Sequence, residues 1–198
     1  MPGNALISVY DKTGLDRVAW IFSKLQIKML ASGGTAEAVR KLGLNIVDVS
    51  EYTGVKEMPG GLVKTLHPKI HAAILGDWHD PIQKEYLDAN GVEPLDFVVV
   101  NLYPFQEVVK KEPDNIRRAV DNIDIGGVAL IRAAGKGALL NQRVVPVTNP
   151  NQYEEFVSEL EKKGYIGAAL RKRLAREAFV VTADYDKAIR DYLAGQNR

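Results

Sequence analysis

Five short apolar runs divide this chain, and the stretches between them carry helical spacing. The runs are Ala5–Val9, Lys28–Ala31, Asn45–Val49, Phe97–Val100 and Val144–Val147. Runs so short and so uniformly apolar suit strands buried on both faces. After the first run, Leu15, Val18, Ala19, Phe22 and Leu25 recur at helical spacing, and Thr13 is the expected cap. Thr35–Leu42 reads as a helix closed by Gly43. Asp80–Asn90 reads as another, with Pro81 in its first turn. Asn115–Asn122 and Gly126–Lys136 give two more, and Tyr153, Phe156, Val157 and Leu160 mark the apolar face of a further one. From Ile166 onward the chain reads as helices only. Strands alternating with helices predict an α/β fold with a mostly parallel sheet covered on both faces. The chain reads as one domain, residues 1–150 forming the α/β core and 151–198 a helical C-terminal extension.

The segment from Ser50 to Gly76 breaks this rhythm. Gly54, Pro59, Gly60, Gly61 and Pro68 punctuate it. A long aperiodic stretch inside a compact domain is usually functional or disordered, and Leu62, Val63, Leu66 and Ile70 argue against disorder. The bulk numbers remove several classes of function. A formal net charge of +1 gives no field that favours nucleic acid or an anionic membrane. The absence of cysteine excludes disulfides, thiolate metal sites and a cysteine nucleophile, and it fits a cytoplasmic location. No apolar run approaches the roughly 20 residues that span a bilayer, and the opening residues MPGNALISVYDK lack the pattern of a signal peptide.

In parallel sheets of this kind ligands bind beyond the carboxyl ends of the strands. The polar clusters fall there. Ser32-Gly33-Gly34-Thr35 joins a strand to a helix start, so it is either a plain helix cap or a cradle for one phosphate on free N–H groups. It matches neither the triphosphate nor the dinucleotide glycine pattern. Asp11-Lys12-Thr13-Gly14 follows the first strand, and Lys12 is either solvated or a point charge for that phosphate. His67 and His71 are four apart, but Pro68 and the lack of a completing ligand point to a structural or substrate-orienting role, with no metal. Asp124, in the apolar stretch IDIGGVALI, is a cap for the next helix or a base at its mouth. Lys136 is a helix-terminal cation or, in a tight pocket, a proton-exchanging group. Arg171, Lys172, Arg173 and Arg176 read as a solvated helix face.

Together the segments SVYDKTG (8–14), ASGGTA (31–36), GGLVKTLHPKIHAAIL (60–75), VVVNLYPF (98–105) and NIDIGGVALIRAAGK (122–136) resemble the N-terminal domain of the AICAR transformylase/IMP cyclohydrolase family. EAFVVTADYDKAI (177–189) extends the match. The resemblance implies a methylglyoxal-synthase-like fold, a three-layer parallel sheet flanked by helices, here with additional C-terminal helices. It implies an IMP cyclohydrolase, a hydrolase by class, acting in purine biosynthesis. The formylated aminoimidazole carboxamide ribonucleotide cyclises to IMP with loss of water, without metal or cofactor.

By the same resemblance Lys64, Tyr103, Asp124 and Lys136 form the catalytic set. Asp124 takes the carboxamide proton, Lys136 exchanges a proton near the formyl group, and Lys64 with Tyr103 stabilises the oxyanion. The phosphate falls among Lys12, Ser32, Gly33, Gly34, Thr35 and Thr65. Asn101, Asp124 and the backbone near Tyr10, Asp11 and Gly126 face the nucleoside. Two positions depart from the family pattern. Leu62 stands where the family has a phosphate-holding arginine, and Gly135 and Gly137 flank Lys136 and are expected to loosen it. The expected partners are the small nucleotide, a second copy of the chain in a homo-oligomer such as a dimer, and a separate formylating enzyme. The transformylase domain is expected to be absent and the polypeptide complete. The rival readings are a non-catalytic nucleotide-binding regulatory domain and a phosphate-eliminating enzyme of the same fold.

Overall fold

A computed structural model describes residues 3–58 and 63–196. Five strands form one wholly parallel sheet in the order β3-β2-β1-β4-β5: β1 (Asn4–Val9), β2 (Lys28–Ala31), β3 (Val47–Asp48), β4 (Phe97–Asn101) and β5 (Val145–Val147). The apolar runs alternate between the two faces as a pleated strand requires. Ala5, Ile7, Val9, Phe97 and Val99 enter one core, and Leu6, Val98 and Val100 enter the other. The first core lies under helices α1 (Leu15–Lys24), α2 (Gly33–Lys41) and, later in the chain, α9 (Tyr153–Lys163). At its centre Phe22 meets Phe97 and Phe156 with ring centroids 5.2 and 5.9 Å away.

The second core lies under α3 (Val49–Thr53), α4 (Pro68–Leu75), α5 (Pro81–Ala89) and α8 (Gly126–Leu140). Two short helices, α6 (Phe105–Lys111) and α7 (Ile116–Asp121), follow β4 and close a third apolar cluster around Phe105. The 28-residue α10 (Ala168–Gly195) joins all three: Leu170 and Leu174 enter the first core, Ala178 the second and Tyr185 the third. The C-terminal helices are therefore part of the packing that holds the sheet.

Several expectations change. The strand expected over Asn45–Val49 keeps only Val47–Asp48, because it is an edge strand that pairs with β2 at two positions. Thr13 does not cap α1. The chain enters that helix through Gly14 in the left-handed conformation, while the Thr13 N–H donates to the Asp11 carboxylate at 2.9 Å. The aperiodic segment holds α3 and α4, whose Ile70, Ala73 and Ile74 are buried. The Gly126 helix runs one turn past Lys136 to Leu140, so Lys136 is not at its end. Gly135 and Gly137 are close-approach points for neighbouring helices. A Cβ on Gly137 would stand 2.9 Å from the Ile74 carbonyl of α4, and one on Gly135 would stand 3.0 Å from the Phe179 ring of α10.

Candidate active site

The loops after β1, β2 and β4, with the turn that opens α8, enclose a cleft of about 380 Å³. One end is built for an anion. Gly33 has φ 52°, and a side chain there would stand 2.8 Å from Lys64 Nζ, so glycine admits both the turn and the ammonium. Ser32 precedes α2 in the N-cap position, yet its side chain makes no capping bond. The free N–H groups of the first turn of α2 thus face the cleft with two lysines beside them. Lys12 is held by the carbonyls of Val9 and Tyr10 at 3.4 and 3.2 Å. Lys64 pairs with Glu57 at 3.1 Å. The Thr35 hydroxyl is already committed: it donates to Val9 O at 3.1 Å and accepts from Val9 N at 3.2 Å, knitting α2 to β1. Thr35 therefore offers a ligand its backbone and not its hydroxyl.

The other end carries a carboxylate. Asp124 Oδ1 accepts the Gly127 N–H at 2.7 Å, and the backbone N–H of Tyr103 lies near the same carboxylate. Burial nonetheless pushes Asp124 above the ordinary carboxylate range, against the pull of those two N–H groups. Gly127 tolerates no side chain, since a Cβ would lie 2.6 Å from Asp124 Oδ2 and 2.7 Å from Leu102. The buried Thr65 brings its hydroxyl to within 3.0 Å of where a Cβ on Gly126 would be. Asp124 is thus both of the things its position allowed, a ligand to the start of α8 and a carboxylate open to the cleft. Tyr10 and Tyr103 stand exposed at the mouth, edge to face at 5.5 Å.

Asn101 lines the cleft, and its amide is also bonded to the chain. Its Oδ1 accepts from Tyr10 N and Asp11 N at 2.7 and 2.9 Å, and its Nδ2 donates to Asp11 O at 2.8 Å. The buried Tyr153 hydroxyl also meets this side chain, and burial pushes that tyrosine up to about 12. Asn101 thus shapes the Tyr10–Asp11 loop, and its second Nδ2 hydrogen stays open on the cleft side. The Asp11 carboxylate is turned away to the Thr13 hydroxyl and N–H, which hold it below its usual range.

Of the expected residues, the cleft brings together Tyr10, Lys12, Ser32, Gly34, Thr35, Lys64, Thr65, Asn101, Tyr103, Asp124 and Gly126, with Gly33 and Asp11 next to them. It does not include Lys136. That residue is exposed on the outer face of α8 in a separate groove with Arg132, Leu139, Leu140 and Phe179. Ten residues of helix put it roughly 15 Å along the axis from Gly126. His67 caps α4, its Nδ1 accepting the Lys69 N–H at 3.1 Å, and His71 Nδ1 rests 3.2 Å from the His67 carbonyl. Both are structural. Among the described residues no group of three or more metal-ligating side chains occurs, and no helix is long and apolar enough to cross a membrane. The Leu62 departure lies outside the described residues, as do Gly60 and Gly61. The sequence carries no signal for the contacts of Glu57, Tyr153 and Tyr185 with the site residues. The first sits in the aperiodic segment, and the other two carry the spacing of ordinary core positions.

An MGS-like domain model matches residues 14–129, and an AICARFT/IMPCHase bienzyme model matches residues 138–198. The bifunctional purine biosynthesis protein PurH of Synechocystis sp. is 44% identical over 96% of this chain. Its counterpart from Persephonella marina is 41% identical over 98%. The chain spans 37% of the length of each of these relatives. A crystal structure of ForH superposes with a TM-score of 0.82 at 25% identity, covering 98% of this chain and all of that one. The five-stranded parallel sheet with helices on both faces is the MGS-like architecture. The chain belongs to the MGS-like domain family, in the form that continues into the AICARFT/IMPCHase bienzyme proteins.

Proposed function

We propose that this chain is an IMP cyclohydrolase, closing the second purine ring on a formylated aminoimidazole carboxamide ribonucleotide. The observation that carries the reading is the polarity of the cleft: an anion cradle at one end and a half-buried carboxylate, raised above its usual range, at the other. A 5′-phosphate on the start of α2, between Lys12 and Lys64, directs the base toward Asp124. The carboxamide nitrogen is a poor nucleophile and sheds its proton as it attacks the formyl carbon. Asp124, raised above the usual carboxylate range, takes that proton. Negative charge grows on the formyl oxygen, and that oxygen later leaves as water. Tyr103, at the cleft mouth, is the donor placed to stabilise and protonate it. Holding the two substituents in attacking geometry supplies much of the remaining rate.

The position of Lys64 Nζ beside Gly33 favours phosphate contact over the expected oxyanion role. Lys136 enters this chemistry only if a second copy of the chain delivers it. The chain needs no cofactor in this scheme. The formylated substrate comes from a separate enzyme, and the setting is the cytoplasm.

A product assay tests the reading against its nearest rival. Incubation of the chain with the formylated ribonucleotide is expected to yield IMP, identified by mass and by ultraviolet spectrum, with no inorganic phosphate. Phosphate release without IMP assigns the elimination chemistry instead.

A further inference from the structure

Tyr185 lies on α10, outside the cleft, and its hydroxyl reaches the turn that bears Asp124. The ring is buried and packs edge-on against Phe105, with centroids 6.1 Å apart. The hydroxyl donates to the Asn122 carbonyl at 3.0 Å and accepts the Asp124 N–H at 2.9 Å. One hydroxyl therefore bridges both ends of the Asn122–Asp124 turn. Burial pushes this phenol up to about 12, so it remains a donor across the working pH range. Asp124 is fixed from two sides. The Gly127 N–H holds its carboxylate, and Tyr185 holds its backbone. The ring alone would satisfy the packing against Phe105. What the oxygen adds is directed wholly at the turn.

We propose that Tyr185 is a positioning residue for Asp124, its hydroxyl setting the angle at which the carboxylate meets the bound base. The proposal rests on the cyclohydrolase reading for its kinetic consequence. A misplacement of about 1 Å at a reacting group costs up to about 100-fold in rate, so Tyr185→Phe should lower kcat by about tenfold or more. The phosphate end belongs to the loops after β1 and β2, which Tyr185 does not touch, so KM should stay within about twofold.

A double-mutant cycle in the full chain separates positioning from general support. Tyr185→Phe should cost about tenfold in the wild-type background and less than about twofold in Asp124→Asn, because its effect passes through that carboxylate. An equal loss in both backgrounds, or none in the wild type, overturns the proposal. A second measurement does not depend on turnover: the carboxyl titration of Asp124 followed by carbon-13 NMR. In Tyr185→Phe the Gly127 N–H donor loosens while burial persists, so the midpoint should rise by about half a unit or more. An unchanged midpoint overturns the proposal even if the wild-type chain makes no IMP, which would sink the cyclohydrolase reading separately.

Discussion

At Gly33 the backbone turns to φ 52°, and Lys64 Nζ lies 2.8 Å from the place a side chain would take. A left-handed non-glycine residue costs about 1–2 kcal/mol, and a methyl there also displaces the ammonium. A charge-assisted contact contributes about 1.5–3 kcal/mol, so Gly33→Ala should weaken IMP binding by about tenfold or more, as read by calorimetry. Unchanged affinity would move the phosphate elsewhere. Asp124 sets the pH behaviour. As a base it works only when ionised, and burial raises it, so the acid limb of kcat/KM should fall above the ordinary aspartate value of about 3.9. A limb at or below that value, seen in a pH–rate profile, would remove Asp124 from the base role. The same sign applies to folding. The raised carboxyl favours the protonated native state, so the stability it confers is present below the unfolded pKa and declines as pH rises through the folded one. The site residues legible from the sequence were those whose type and place both mattered: Lys12 and Gly33 after strands, and Asp124 ahead of a helix. The use of Asn101 was not, because its partners are backbone groups about 90 residues earlier in the chain. No spacing reveals such a contact.

Among the elements, the strands were legible because five apolar runs can be buried on both faces only in a covered sheet. The missed helices lacked ordinary signals. Helix α4 starts at Pro68 behind a histidine cap, which is not a preferred N-cap residue, and α6 starts directly after Pro104 and lasts seven residues. Helix α1 starts one residue later than a Thr13 cap predicts, since the carboxylate of Asp11 claims Thr13 and leaves Gly14 as the N-cap. The junction of α4, β4 and β5 depends on Arg143. Its guanidinium pairs with Asp96 at 2.6 Å, donates to the carbonyls of Leu95 and Ala73 at 2.8 and 2.9 Å, and lies over the Trp78 ring. Both charged side chains are mostly buried, at 25% and 19% exposure. Removing one partner of a buried pair costs about 3–5 kcal/mol, and residual exposure brings the figure for Arg143→Ala toward about 2–3. Urea unfolding should show a lower midpoint, and a shift below about 0.5 kcal/mol would contradict this account of the junction.

Across the whole molecule, the exposed residues Ile125, Arg132, Lys136, Leu139 and Leu140 recur along one outward face of α8, with Val180 of α10 exposed as well. A face this apolar is seldom left to water. We propose that a second copy of the chain covers this face, as in a homo-oligomer. Light scattering at micromolar concentration should give at least twice the chain mass, and a single monomeric species would contradict this. The α/β core was legible because alternation survives at the scale of the chain. The place of α10 was not, because a helix that serves three clusters shows no single apolar stripe. The pairing of the phosphate cradle with Asp124 across the cleft is tested by the rate of IMP formation from the formylated carboxamide ribonucleotide, followed by ultraviolet absorbance, for the wild type and Asp124→Asn. Asparagine can still accept the Gly127 N–H, so the fold of the turn should survive while the base is lost. Wild-type turnover well above the spontaneous rate, with a fall of about 100-fold or more in the variant, is the predicted result. Folded wild type that binds IMP yet forms none, or an Asp124→Asn variant with full activity, would contradict it.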